Sequence, residues 1–171
     1  LGVKFFFGSH PDDLLDESYD YLIKNPGVPI HHKYIEKAKE LKIEVINEVE
    51  MAYRLLPKDV TLVSITGTNG KTTTTTLTYE MIKEEGIRCH LAGNIGYPLC
   101  SFLDKLQKGD VIVMETSCQQ LNNVKEFKPH IAVMTNLSEA HVDFFDNIRN
   151  IKTLKQRYLK IKQKMILQFL I

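Results

Sequence analysis

A mostly apolar, β-branched run at residues 60–65 passes into Thr66-Gly67-Thr68-Asn69-Gly70-Lys71-Thr72 and then into a helix-compatible stretch over residues 73–85, closed by Gly86. A strand that enters a glycine-bearing turn and leaves as a helix is the setting of a phosphate-binding loop. Gly67 and Gly70 let the backbone curl so that its amides face an anion, and the helix N-terminus adds partial positive charge. Lys71 is placed to reach β- and γ-phosphates, and the Thr72 hydroxyl to ligate Mg²⁺. Gly67, Thr68, Asn69, Gly70, Lys71, Thr72 and Thr73 are therefore the expected nucleotide-binding residues. The common pattern has a further glycine five residues before the second one, and Ile65 stands there instead. A glycine-rich turn with an incidental lysine is the plainer alternative. The coincidence of strand, turn, Gly-Lys-Thr and helix weighs against it. Threonines at 72–76 and 78 are poor helix formers, yet the polar first turn of a ligand-binding helix tolerates them.

Apolar runs at 111–114 and 131–134 read as further strands, each ending just before polar residues. Strands alternating with helices imply a parallel α/β sheet, whose ligands sit beyond the carboxyl ends of the strands. Upstream, short strands are expected at 3–7 and 21–24. Asn25-Pro26-Gly27-Val28-Pro29 forces a loop. Spacing of Ile35, Ala38 and Leu41 predicts an exposed amphipathic helix over 33–42, followed by a strand at 43–46. Asn47, with Glu50 three residues on, caps a helix running through about residue 56. Pro57 opens a new unit, so the chain divides into residues 1–56 and 57–171. The tail, 150–171, is lysine-rich and helical in pattern. Both ends look premature for a sheet that must be covered on two faces, which reads as a fragment.

A net charge of +1 gives no reason to expect nucleic acid or an acidic membrane as partner. No apolar run approaches the roughly 20 residues of a membrane span. Cys89, Cys100 and Cys118 lack paired spacing, which argues against a disulfide framework or zinc knuckle and favours a reducing cytoplasm. At least two of them read as buried small residues. Cys118 has no evident base partner in the sequence, so it is not expected to be a nucleophile.

Gly67-Thr68-Asn69-Gly70-Lys71-Thr72 resembles the nucleotide loop of the Mur ligases and of their relative, folylpolyglutamate synthase. Further segments follow in the family's order. Asn25-Pro26-Gly27-Val28-Pro29 resembles the loop closing the N-terminal, UDP-binding domain. Gly93-Asn94-Ile95-Gly96-Tyr97-Pro98-Leu99 and Glu115-Thr116-Ser117-Cys118-Gln119-Gln120-Leu121 resemble segments of the D-glutamate-adding branch, as does Asn136-Leu137-Ser138-Glu139-Ala140-His141-Val142-Asp143. The resemblance covers roughly residues 1–160. It implies the end of a Rossmann-like UDP-binding domain over 1–56, then part of a P-loop, parallel-sheet ATP-binding domain over 57–171, with the family's C-terminal domain absent. Residues 162–171 look unlike what should follow.

A strand-end carboxylate such as Glu115 suits Mg²⁺, and His141, after another strand end, is a candidate second ligand. By resemblance these are the family's metal-binding glutamate and histidine. Lys155, fourteen positions after His141, matches the lysine that carries a carbamate made from CO₂, with Lys152 one helical turn away as the alternative register. Thr72, Glu115, His141 and Lys155 thus form the implied metal set, and Lys71, His141 and Lys155 the implied catalytic set. Asn94, Ser117 and Gln120 match positions that contact the muramoyl substrate or the phosphate region. Cys118, Gln119 and Ala140 depart from the family pattern and put substrate packing and metal support in question.

The implied reaction is ATP-dependent amide formation in peptidoglycan synthesis, which underlies cell-wall growth, shape and division. The implied partners are UDP-N-acetylmuramoyl-L-alanine, D-glutamate, ATP and Mg²⁺, in a cytoplasmic monomer. Another ligase of the superfamily, or a non-catalytic nucleotide-binding module, is the competing reading.

Overall fold

Strands β1 (Tyr21–Lys24) and β2 (Glu44–Asn47) pair in parallel, with Lys24 beside Asn47, and α1 (Lys33–Glu40) joins them. The computed structural model describes residues 2–136 and the backbone of one later strand at 166–168. Helix α1 buries Ala38 against Leu15 and Ile43. Residues 3–7, expected as a strand, adopt no regular structure, and Phe5 and Phe7 stand 72% and 89% exposed. Alternating apolar residues specify a strand only where a partner edge takes up the backbone groups, and none is paired with them among the described residues. α2 (Glu48–Leu55) begins where the capping signal places it, the Asn47 side chain accepting the Glu50 amide at 3.0 Å.

The larger sheet has the order β4-β5-β3-β6-β7, with every neighbouring pair parallel. Its strands are β3 (Thr61–Thr66), β4 (Cys89–Gly93), β5 (Val111–Glu115), β6 (Ile131–Met134) and β7 (Ile166–Gln168). This is the expected α/β class. Side chains of β3 alternate between two cores. Leu62 packs with Ile112, Met114 and Phe127 against Val49 and Ala52 of α2. Val63 and Ile65 pack with Val113 and Val133 against Tyr79 and Ile82 of α3 (Lys71–Glu84). Burial on both faces is why these strands read as nearly continuous apolar runs.

Besides residues 3–7, two elements differ from expectation. β4, Cys-His-Leu-Ala-Gly, escapes a periodicity reading because polar and small residues interrupt it; pairing with β5 makes it a strand. Within the tail expected to be helical, Ile166–Gln168 is instead a strand beside β6. Short apolar runs suit either state, and the free edge of β6 supplies hydrogen-bond partners that decide between them.

A cleft at the carboxyl ends of the strands

Registers Ile65↔Glu115 and Gly93↔Glu115 align the carboxyl ends of β3, β4 and β5, and Thr66↔Met134 brings the end of β6 alongside. Residues just past those ends are the ones with chemistry. Glu115, 1% exposed, receives the Thr72 hydroxyl on Oε2 and the Asn94 side-chain amide on Oε1, each at 2.7 Å. Asn94 also donates its backbone amide to the Glu115 carbonyl at 2.9 Å. This close approach requires Gly93: its φ is +97°, and a Cβ there would lie 2.2 Å from the Glu115 carbonyl oxygen.

The phosphate-loop sequence forms the turn between β3 and α3 that its pattern predicts. Lys71 rests its Nζ on the Thr68 carbonyl at 2.8 Å. The amides of Thr68 and Asn69 do not face a ligand space. Both donate to the Asn136 side-chain oxygen, at 3.1 and 2.9 Å, while Asn136 Nδ2 and the Thr135 hydroxyl donate to the Asn69 carbonyl. Thr135 and Asn136 therefore clasp the loop, a role not expected from the sequence, where Asn136 stands out only as the head of the family-like segment 136–143 and both follow the apolar run 131–134. A Cβ on Gly67 would come within 2.0 Å of the Thr135 hydroxyl, so the clasp demands glycine there. The amides left to meet an anion are those of the first turn of α3, which have no intrahelical partner. The threonine run is accommodated as Thr75 and Thr78 donate to the Lys71 and Thr74 carbonyls at 2.7 Å.

Lys71, Thr72, Gly93, Asn94, Glu115, Ser117, Gln119 and Gln120 line one cavity of about 840 Å³, closed on another side by Asn25, Pro26 and Gly27. Gly67, Thr68, Asn69 and Gly70 build the loop beside it, and Thr73 the first turn of α3, without lining it. Ser117 and Gln120 also cap α4 (Cys118–Leu121) reciprocally: Ser117 Oγ accepts the Gln120 amide at 3.2 Å, and Gln120 Oε1 accepts the Ser117 amide at 2.9 Å. Their acceptor atoms are thus engaged locally. A second cavity of about 730 Å³, on the Lys24 and Tyr34 side of the turn at 25–28, has no acidic lining residue. His141, Lys155 and its alternative Lys152, together with Ala140, lie outside the described residues.

Hard oxygen donors, the Glu115 carboxylate and the Thr72 hydroxyl, meet beside a lysine, and that donor set fits Mg²⁺ with phosphate. No group of three or more His, Cys, Asp or Glu side chains that could hold a metal occurs among the described residues, whose share is the oxygen pair. At least two of the three cysteines are expected to be buried, but only Cys118 is; Cys89 is half-buried and Cys100 exposed. Although Cys100 is exposed as a residue, its thiol lies against the Glu48 backbone, and the partial desolvation there, followed by the Glu48 carboxylate, pushes it up to about 11, which leaves it protonated. No described helix is long and apolar enough to cross a membrane.

Residues 65–167 match the Mur ligase middle domain. The chain is 47% identical over 164 residues to the UDP-N-acetylmuramoylalanine--D-glutamate ligase of Enterococcus hirae, covering 95% of this chain and 34% of that protein. A protein of the same name from Listeria monocytogenes is 49% identical over 144 residues, 84% of this chain and 31% of its own length. The MurF ligase of Thermotoga maritima, solved in complex with ADP, shares the fold with a TM-score of 0.55 at 18% identity, over 89% of this chain and 45% of that one. The chain thus spans about a third of the length of the curated relatives it matches. With that match extending from the end of β3 past the phosphate loop, Glu115 and Asn136, the chain belongs to the Mur ligase family and carries its middle domain.

Proposed function

We propose that the chain is the nucleotide- and UDP-muramoyl-binding part of a ligase that adds D-glutamate to UDP-N-acetylmuramoyl-L-alanine at the expense of ATP. The observation that supports this reading is the single cavity in which Lys71 and Thr72 of the phosphate loop, the Glu115 carboxylate and the turn at Asn25, Pro26 and Gly27 meet. Identities of 47% and 49% to ligases of that name favour D-glutamate addition over folate chemistry.

In this reading residues 1–56 belong to the UDP-binding domain and 57–171 to the ATP-binding domain. Lys71 leaves the Thr68 carbonyl to pair with the β- and γ-phosphates, while the first-turn amides of α3 take the remaining phosphate oxygens. Thr72 and Glu115 hold Mg²⁺, together with His141 and Lys155, the latter as its carbamate. When bound, the cation neutralises charge on the phosphate oxygens. Asn94, Ser117, Gln120 and the turn at 25–27 hold the muramoyl substrate so that its alanyl carboxylate lies in line with the γ-phosphate. The carboxylate oxygen forms a bond to phosphorus as the bond to ADP breaks, giving an acyl phosphate. The D-glutamate amine then attacks the acyl carbon and inorganic phosphate leaves. Phosphoryl transfer of this kind needs mainly positioning and charge neutralisation, which these residues offer. The D-glutamate site falls to the part of the relatives that this span does not cover, and the enzyme works as a cytoplasmic monomer.

The test is phosphate release by the ligase containing this span, with ATP, D-glutamate and either UDP-N-acetylmuramoyl-L-alanine or a folate. Release is expected with the muramoyl substrate alone and is expected to stop in Lys71→Ala. Turnover unchanged by Lys71→Ala, or turnover with folate, would overturn the proposal.

A further inference from the structure

Strand β2 ends at Asn47, whose two side-chain polar atoms have different tasks. Its Oδ1 accepts the Glu50 amide at 3.0 Å and caps α2, while Nδ2 donates to the backbone carbonyl of Gln120, 73 positions away in the chain. The residue is 0% exposed. A helix start needs only the acceptor, which Ser or Asp would supply as well. Asparagine differs in carrying, beside that acceptor, a separate NH₂ group that reaches a second partner.

That donor ties together two walls of the cleft. Asn47 pairs with Lys24, the last residue of β1, and the next three residues, Asn25, Pro26 and Gly27, form one wall. Lys24 donates to the carbonyls of Asn25, Pro26 and Val28 at 3.4, 3.4 and 3.1 Å, so this turn is fastened to the end of β1. Gln120 belongs to α4, and Ser117, Gln119 and Gln120 form another wall. Glu50, in the first turn of α2, accepts the amides of Lys125, Glu126 and Phe127 in the loop that leaves α4. The start of α2 therefore grips α4 at its last turn and just beyond it.

We infer that Asn47 is a positioning residue: through the Gln120 carbonyl it sets the spacing between the wall at 25–27 and the wall at 117–120, and so the affinity for the UDP-muramoyl substrate, without touching that substrate. This role rests on the proposed assignment of the cleft. A ligand that contacts both walls binds less tightly when their separation must be ordered during binding. Nucleotide held by Lys71 and Thr72 is insulated, because β3 and α3 do not carry the bridge.

Asn47→Ser keeps a capping acceptor, and its hydroxyl, one bond shorter, does not span to the Gln120 carbonyl while it caps; Asn47→Asp keeps the side-chain size and the capping acceptor but turns a carboxylate oxygen toward that carbonyl. In the full chain, affinity for UDP-N-acetylmuramoyl-L-alanine is measured by calorimetry alongside affinity for ADP and the urea unfolding midpoint. Both variants are expected to bind the sugar nucleotide about fivefold more weakly, the effect of one buried hydrogen bond, with ADP affinity unchanged. A merely structural role would weaken both ligands together with the unfolding midpoint, and that result overturns the inference. So does unchanged sugar-nucleotide affinity in the variants; should Asn47→Asp not fold, because its carboxylate faces the Gln120 carbonyl, Asn47→Ser decides. Absence of sugar-nucleotide binding by the unsubstituted chain is a separate outcome, which removes the functional assignment and this role with it.

Discussion

Glu50 offers the sharpest test of how the cleft is held in place. Its carboxylate is fully buried and accepts three successive backbone amides, those of Lys125 and Phe127 on Oε2 at 3.0 Å and that of Glu126 on Oε1 at 2.9 Å, with Arg54 Nε on Oε1 at 3.0 Å. Glu50→Ala leaves all three amides without their acceptor. The Phe127 amide is wholly buried and carries the larger penalty, whereas the other two are partly accessible and water relieves them in part. The expected loss is about 4 kcal/mol, a large share of the roughly 5–15 kcal/mol that stabilises a domain. Glu50→Gln, which keeps one acceptor oxygen but turns an NH₂ group toward the loop, should lose about half as much. The chain has no tryptophan, so urea unfolding followed by far-UV circular dichroism is the suitable assay, with the denaturant slope held common to the variants. A cost below about 1 kcal/mol for Glu50→Ala would refute the claim that this carboxylate organises the loop after α4.

Glu115→Gln should leave the fold in place, since one oxygen still accepts from Thr72 or Asn94, while the Mg²⁺ dependence of nucleotide affinity weakens; titrating ADP with and without the cation checks this. Gly93→Ala should destabilise by about 2 kcal/mol or more, because an L side chain is strained at that positive φ and its Cβ meets the Glu115 carbonyl; thermal unfolding reads the effect. The Arg54 guanidinium, and after it Lys125, hold the Glu44 carboxyl at about 2, below its ordinary 4.5. A lowered folded pKa means that the stabilisation is complete above pH 4.5 and fades as pH falls toward 2. Unfolding midpoints of the native chain and of Glu44→Gln should therefore differ at pH 6 and converge by about pH 2; a gap that persists there would contradict the assignment.

The sequence by itself determined the α/β class and the nucleotide loop, because both are local patterns. Residues 60–65, the glycines at 67 and 70, Lys71 and Thr72 are contiguous, and their conformation follows from propensity, sterics and capping. The Asn47 cap was legible for the same reason, its partner Glu50 being three residues away. What only the tertiary structure decided depends on residues far apart in the chain. β4 becomes a strand through pairing with β5, and residues 3–7 do not become one, no partner edge pairing with them among the described residues. Ile166–Gln168 is drawn into the sheet by the edge of β6. The same holds for the site: no periodicity tells that Asn136 would turn the Thr68 and Asn69 amides away from the cleft. Nor does any local pattern tell that Asn47 would reach the Gln120 carbonyl. Such contacts become favourable only once the sheet has closed the intervening loops, so their energetics are absent from any short window of sequence.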